Sequence, residues 1–359
     1  MSEYDIKSMT LREITDVCLS LGLPKFRAGQ VFKWIQQYGV SSYDEMTDIS
    51  KQLRVQLSES YPIRGCEIEQ KYASKLDGTV KYLFRLYDGN FIESVLMKYK
   101  YGYTLCISSQ VGCKMGCMFC ASTKNGCVRN LTAGEMVGQI HAARRDAGVR
   151  VSHVVLMGMG EPLDNFDNVM RFLSLVGDEN GLNIGMRNIS LSTCGIVPRM
   201  YELMEKNLQI TLSVSLHAPE NELRSKIMPV NRKYPLNDLI KVCCEYTKKT
   251  SRRISFEYAM IAGLNDTKDC AYKLAELVKG MLCHVNLIPA NEIEESTYKR
   301  SGENTLKSFC DILRSRGVNV TVRRSLGSDI DASCGQLRSR RENNTPTGGE
   351  KDENICQKR

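Results

Sequence analysis

The sequence predicts an α/β protein whose parallel sheet forms an incomplete (β/α)6 barrel, with a small N-terminal helical domain and a β extension. Three observations carry this expectation. From about residue 104, short apolar segments alternate with longer helical patterns, as in a parallel sheet with crossover helices. The units run to six or seven, fewer than a closed barrel needs. Hydrophobic residues make up 42% of the 359-residue chain, enough for a sizeable core and too many for wholesale disorder.

Each element follows in order. Residues 1–64 read as helical. Thr10 and Glu13 form a capping box, and Leu11, Ile14, Cys18 and Leu21 follow at helical spacing. Gly22 ends that helix, Pro24 opens the next, and Ser50 caps a third starting at Lys51. Lys25, Arg27 and the aromatics around them give this module a basic face suited to RNA, although a structural cap would look the same. Residues 65–103 change to antiparallel alternation around the turn at Asp88-Gly89-Asn90. The barrel is expected over 104–337, with strands at 104–108, 153–157, 189–193, 210–216, 254–260, 284–289 and 318–322. Helical patterns cover 133–147, 165–176, 199–206, 236–247, 267–280 and 305–316. The polar stretch 338–359 reads as a disordered tail.

Composition narrows the function classes. No apolar run approaches the roughly 20 residues of a membrane span, and the N-terminus lacks a secretory layout. A cytoplasmic protein is expected. Fifteen cysteines, an odd number, argue against a closed disulfide framework. Most isolated ones (Cys18, Cys66, Cys243, Cys244, Cys270, Cys283, Cys310) read as small core hydrophobes. The net charge of +8 suits a polyanion. Its basic runs, Arg252-Arg253, Arg323-Arg324 and Arg338 to Arg341, read as solvated surface. Lys98-Tyr99-Lys100-Tyr101 interleaves aromatics with lysines, which favours base stacking and phosphate contact.

The sharpest chemical signal is Cys113-x3-Cys117-x2-Cys120. Thiolates are the usual iron–sulfur ligands, and a loop of this length wraps one 4Fe–4S cubane. Three thiolates leave one iron open, which suits catalysis, whereas structural sites are filled. The amino and carboxylate groups of S-adenosylmethionine chelate such an iron, and reductive cleavage yields a 5′-deoxyadenosyl radical. A competing reading adds Cys127 as a fourth ligand of a zinc or ferredoxin-like site, at a spacing unusual for zinc.

The ends of the predicted strands offer the rest of a cofactor site. Gly158-Met-Gly160-Glu161-Pro162 closes the second, with glycines that allow close backbone approach. Its carbonyls or Glu161 are candidates for the methionine amino group, although an ordinary tight turn reads the same way. Ser192 to Gly195, Ser215-Leu216-His217 and Asn286 to Asn291 supply short polar groups for ribose or adenine.

Together these residues resemble the radical S-adenosylmethionine superfamily. Within it they resemble the adenine-C2 methyltransferases of large-subunit ribosomal RNA and certain transfer RNAs. The matching strings are 24–34, 105–113, 158–162, 215–217, 286–289 and 329–337, within a span of about 10–337. The resemblance implies roles that spacing alone does not give. Cys334 is the methyl carrier and is methylated by one S-adenosylmethionine. A second, bound at the cluster through Gly160, Glu161, Ser192, Ser215, Leu216, His217 and Asn291, yields the radical that takes hydrogen from the S-methyl group. The thiomethylene carbon adds to adenine C2, Glu93 takes the C2 proton, and Cys106 attacks Cys334 to release the product, leaving a disulfide to be reduced. Read without the family, Cys106 and Cys334 are core cysteines and Glu93 is a solvent-side carboxylate. The implied partners are 23S rRNA, tRNA and an electron donor such as flavodoxin or ferredoxin, with the enzyme a monomer. Cys127 and Cys194 depart from the family pattern. Two rivals are an adenine-C8 rRNA methyltransferase conferring antibiotic resistance, which Pro162 disfavours, and a zinc-stabilised, non-catalytic RNA-binding protein.

Overall fold

The computed structural model describes residues 5–290, 298–333 and 335–337. Asn291, Cys334 and the expected tail at 338–359 lie outside the described residues.

The N-terminal segment forms helices α1 (Leu11–Ser20), α2 (Phe26–Phe32) and α3 (Lys51–Ser60). The capping box at Thr10 is present, with its hydroxyl accepting from the Glu13 N–H and the Glu13 carboxylate accepting from the Thr10 N–H at 2.7 Å. Gly22 follows α1 at φ +73°, and Ser50 caps α3. After α2 the chain runs on in a wider π-wound turn over Lys33–Tyr38 and stops at Gly39. A side chain at Gly39 would strike the His141 ring, so this position must be glycine for the module to seat.

Strands β1 (Glu67–Ala73), β2 (Val80–Arg85), β3 (Phe91–Tyr99) and β4 (Gly102–Cys106) pair antiparallel in sequence. A short two-stranded element, β5 (Gln110–Gly112) with β6 (Cys127–Asn130), brackets the cysteine loop. Then come α4 (Ala133–Ala147), β7 (Val151–Leu156), α5 (Phe166–Gly177), β8 (Ile189–Thr193), α6 (Val197–Glu205) and β9 (Thr211–Ser215). The last stretch holds α7 (Asn221–Ile227), α8 (Leu236–Thr250), β10 (Ile254–Met260), α9 (Lys268–Leu277), β11 (Cys283–Pro289), α10 (Glu303–Ser315) and β12 (Val320–Val322).

One ten-stranded sheet runs β1-β2-β3-β4-β7-β8-β9-β10-β11-β12. Every pair from β4 to β12 is parallel, so the expected open (β/α)6 barrel is present, ended by the short β12. The β extension is the edge of that same sheet, because β3 pairs with β4 from Val95–Cys106 to Tyr99–Gly102. The barrel strands alternate. Ile189, Leu191, Leu212, Val214, Phe256, Val285 and Leu287 are fully buried. The residues between them, such as Ser190, Ser192, Ser255, His284 and Asn286, are less so.

The N-terminal module docks on α4 and α5. Arg171 of α5 reaches the Glu13 carboxylate at 2.6 Å, and His141 Nε2 of α4 lies 3.0 Å from the Gln36 carbonyl. The isolated cysteines behave as expected: Cys18, Cys243, Cys270, Cys283 and Cys310 are buried, and Cys66 and Cys244 half-buried.

Candidate active site

The cysteine loop leaves β5 at Gly112, which adopts φ +78° because a Cβ there would overlap the Gly126 carbonyl. The Cys113 N–H donates to that carbonyl at 2.8 Å and closes the neck of the loop. Inside it, Cys120 N–H donates to Cys117 O at 3.1 Å, and Thr123 Oγ1 donates to Cys120 O at 2.9 Å. Met118 N–H ties the loop to Ile227 at the end of α7, and Ala121 N–H ties it to Gly335 at 2.7 Å. The loop is therefore held on both sides, by the barrel and by the segment around residue 335.

Cys113, Cys117 and Cys120 line one cavity at the C-terminal ends of the strands, about 1090 Å³ including its open mouth. Burial pushes the Cys113 thiol up to about 12 and Cys117 well above its usual range, and each neighbouring thiol adds to the effect. Crowded thiols that resist ionising alone form a donor set that a cationic iron cluster would neutralise. Among the described residues no three His, Cys, Asp or Glu side chains are already gathered to metal-binding distance. The thiols share a wall, and the closed loop above them fits a three-thiolate cluster with one open iron. Cys127, half-buried in β6, lies near Cys113 but does not line the cavity that the other three share.

The same cavity is walled by Gly160, Glu161, Ser192, Ser215 and His217. Gly160 sits at φ +101° with Gln110 against its α carbon, and a Cβ at Gly158 would strike the Ile107 carbonyl. Both glycines are required because the loop after β7 packs tightly on Ile107–Ser108 and on Gln110 of β5. The buried Glu161 carboxylate accepts from the Leu163 N–H at 3.0 Å and the Cys194 N–H at 2.7 Å, joining the β7 and β8 loops. Burial raises its pKa, and those two backbone bonds pull it back. His217 stands at φ +56°, an uncommon backbone state for a side-chain-bearing residue. Its Nδ1 accepts from the Ala259 N–H at 2.8 Å, and its ring meets Phe119 edge-on at 4.6 Å. Burial, with Arg224 nearby, drops its pKa to about 3, so the imidazole is neutral and Nε2 carries the proton.

Leu216 is not on the cavity wall. Its side chain is fully buried, its N–H donates to the Glu257 carbonyl and its own carbonyl accepts from Arg224. Glu93 is buried, so it is not the solvent-side carboxylate its strand context also allowed, and Lys81 Nζ lies 3.9 Å from its Oε1. Cys106 ends β4 in an adjoining pocket, lined also by Val95, Met97, Ala332 and Ser333. The two spaces meet at Met157, Ile288 and Arg323.

Sequence reasoning missed several residues here. Arg224 is wholly buried and bridges the strand ends, donating to Cys194 O at 2.7 Å, Ser215 O at 3.0 Å and Leu216 O at 3.1 Å. Arg323, taken for solvated surface, is half-buried on the cavity floor, 3.8 Å from the buried Glu257 carboxylate. The correction has a simple cause: β12 ends just before it and turns the side chain under the strand ends.

Comparison with known proteins decides the family. Residues 4–63 match the ribosomal RNA large subunit methyltransferase N-terminal domain, and residues 107–278 match the radical SAM superfamily. Proteins named probable dual-specificity RNA methyltransferase RlmN are similar along nearly their whole length. The one from Alkaliphilus metalliredigens is 52% identical over 94% of this chain and 96% of the relative. The one from Clostridium novyi is 50% identical over 93% of this chain and 97% of the relative. The chain belongs to the RlmN family. A crystal structure of a radical SAM methyltransferase from Sphaerobacter thermophilus superposes with a TM-score of 0.91 at 44% identity, over 94% of this chain and 100% of that one.

The protein is thus a methyltransferase of the radical SAM superfamily, with a 4Fe–4S cluster and S-adenosylmethionine as its cofactors. The family favours neither the C8 rival nor the zinc-stabilised binding protein. Among the described residues no helix is long and apolar enough to cross a membrane.

Proposed function

We propose that this enzyme methylates C2 of adenine in 23S rRNA and in tRNA, through a methyl group carried on Cys334. The observation that supports this reading most is the shared pocket of Cys106, Ala332 and Ser333, which opens onto the cysteine cavity at Met157, Ile288 and Arg323. Ser333 and Gly335 flank Cys334 in sequence, and one lines each space. The relatives' names, probable dual-specificity RNA methyltransferases, support more than one RNA substrate.

Cys113, Cys117 and Cys120 would hold the cluster, which when bound would supply the electron for cleavage of S-adenosylmethionine. Gly160, Glu161, Ser192, Ser215, His217 and Asn291 would hold that cofactor, and the backbone of Leu216 would hold the strand end. Adenine C2 is an electron-poor amidine carbon, so direct displacement on a sulfonium methyl is disfavoured and radical addition is the feasible route. Cys334 first takes a methyl from one S-adenosylmethionine and becomes a thioether. That S-methyl would pass a hydrogen atom to the cleaved cofactor, which leaves as 5′-deoxyadenosine, and the methylene carbon would add to C2. Glu93 accepts the C2 proton; it lies two residues from Val95, on the same strand face, and Val95 lines the Cys106 pocket. Cys106 as thiolate would attack the Cys334 sulfur and break its bond to the methylene, which takes up a proton to become methyl; the unpaired electron would return to the bound cluster, and the disulfide left behind is reopened by a reductant. Two S-adenosylmethionines are consumed per turnover.

A flavodoxin- or ferredoxin-type protein would deliver the electron. The RNA substrates imply a cytoplasmic protein, and a monomer is expected, to be checked by sedimentation of the holoenzyme. The deciding experiment incubates reconstituted enzyme with unmodified 23S rRNA and tRNA and identifies the product by mass spectrometry. The expected product is 2-methyladenosine in both. An 8-methyladenosine product, or none, would overturn the reading.

A further inference from the structure

The lumen of this half-barrel is polar, which a parallel barrel does not require. Inward positions of such barrels are usually filled by branched apolar side chains. Here the inward residues are Ser190, Thr211, Ser213, Ser255, His284 and Asn286, and they line an open space of about 760 Å³ below the cofactor cavity. Outward neighbours on the same strands are the buried Leu191, Leu212, Phe256 and Val285. The alternation is thus apolar toward the helices and polar toward the lumen.

Part of this polarity is satisfied internally. Asn286 Nδ2 donates to Glu257 Oε2 at 2.8 Å, Ser255 Oγ donates to Glu257 Oε1 at 3.0 Å, and Thr321 bridges His284 and Asn286. Part is not. Thr104, 4% exposed on the same wall, has a buried Oγ1 with no hydrogen-bond partner among the described residues. Arg253 is exposed at the rim. Beside it Tyr99 and Tyr101 stack with ring centroids 5.0 Å apart and planes within 5°, and Tyr101 is 61% exposed. Lys100 lies exposed between them in the turn, and Lys98 is exposed on β3.

The lumen connects to the chemistry. Met97, Tyr99, Met157 and Arg323 line both it and the Cys106 pocket. We infer that the lower lumen seats the RNA strand adjoining the target adenine, with a base on the Tyr99–Tyr101 face, a phosphate at Arg253 and ribose hydroxyls along the serine–threonine wall. A stacking platform, a cation and a hydroxyl ladder are the groups that single-stranded RNA recognition uses. The inference rests on the RNA methyltransferase reading and adds where the substrate lies.

The test measures KM and affinity of reconstituted holoenzyme for an unmodified tRNA transcript. Tyr101→Ala and Arg253→Ala should each weaken binding about tenfold, and Tyr101→Phe should restore it. Arg253→Ala should also lower the slope of log affinity against log salt by about one phosphate contact. Lys241→Ala, exposed near the start of α8 and so toward the other end of the helix that leads to Arg253, serves as the control and should bind as the parent does. Circular dichroism and iron content of each variant exclude misfolding. If Arg253→Glu binds with unchanged affinity and salt slope while the parent still makes 2-methyladenosine, the lumen is not the RNA seat. If the parent neither binds nor methylates RNA, the function itself is wrong.

Discussion

The Glu161 carboxylate receives the Cys194 backbone N–H at 2.7 Å, so a side chain from the end of β7 fixes the turn that follows β8. Its other oxygen receives the Leu163 N–H. Both donors are buried, and a backbone N–H left without an acceptor costs about 1–3 kcal/mol. Replacement by glutamine keeps the volume but sets an amide NH2 against one of the two N–H groups. Glu161→Gln should therefore lose about 1–3 kcal/mol in denaturant unfolding. It should also raise the KM for S-adenosylmethionine, because the β7 and β8 loops would part. An unchanged KM would remove Glu161 from the cofactor wall.

Arg224 makes the next link, from Cys194 O to Ser215 O and Leu216 O, with Nη1 donating to Asn231 at 2.9 Å. A buried guanidinium with carbonyl rather than carboxylate partners is justified by its fork, which spans three strand-end acceptors at once. Lysine has a point charge and cannot span them. Arg224→Lys should cost about 3 kcal/mol or more, close to what an uncompensated buried charge costs. Loss of only a few tenths of a kcal/mol would show that the strand ends hold their positions without it.

These two links show what sequence makes legible and what it hides. The strand–helix alternation and the capping box at Thr10 are local patterns that the structure realises, and the three spaced cysteines line one cavity. Arg224 sits in Asn221–Ile227, a polar helix that reads as solvated; its partners are carbonyls, which leave no trace in side-chain pattern. The β5–β6 pair is too short, at three and four residues, to show a period. The polar lumen was on view in Ile189-Ser-Leu-Ser-Thr193 and Ile254-Ser-Phe-Glu257, but alternation alone does not tell solvent from lumen. Cys334 and Cys106 carry roles that only the family resemblance supplied.

The role of Cys106 has a direct chemical test. It shares its pocket with Ala332 and Ser333, and a resolving thiol must reach the Cys334 sulfur. Cys106→Ala should stop at the covalent adduct, seen as protein cross-linked to RNA on a denaturing gel. Cys334→Ala should assemble its cluster, with the iron content and EPR signal of the parent, yet transfer no methyl group. Normal turnover by Cys106→Ala would sink the resolving role.

The seat of the N-terminal module carries two opposed titrations. Asp5 is buried where it accepts from Lys7 and Arg64 N–H groups, and desolvation raises its pKa from 3.8 to about 6. His141, buried against Gly39 with Nε2 at 3.0 Å from Gln36 O, falls from 6.5 to about 3. Between pH 4 and 6 the folded chain holds a proton on Asp5 and the unfolded chain does not, so Asp5 makes stability fall as pH rises. Over the same window the unfolded chain protonates His141 and the folded chain does not, so His141 makes stability rise with pH. The two slopes cancel. Relative to the parent, Asp5→Asn should gain about 1.4 kcal/mol of unfolding free energy per pH unit across that window. His141→Asn should lose about the same amount per unit. Urea unfolding at several pH values reads both, and parallel curves for parent and variants would mean that neither group titrates as its burial requires.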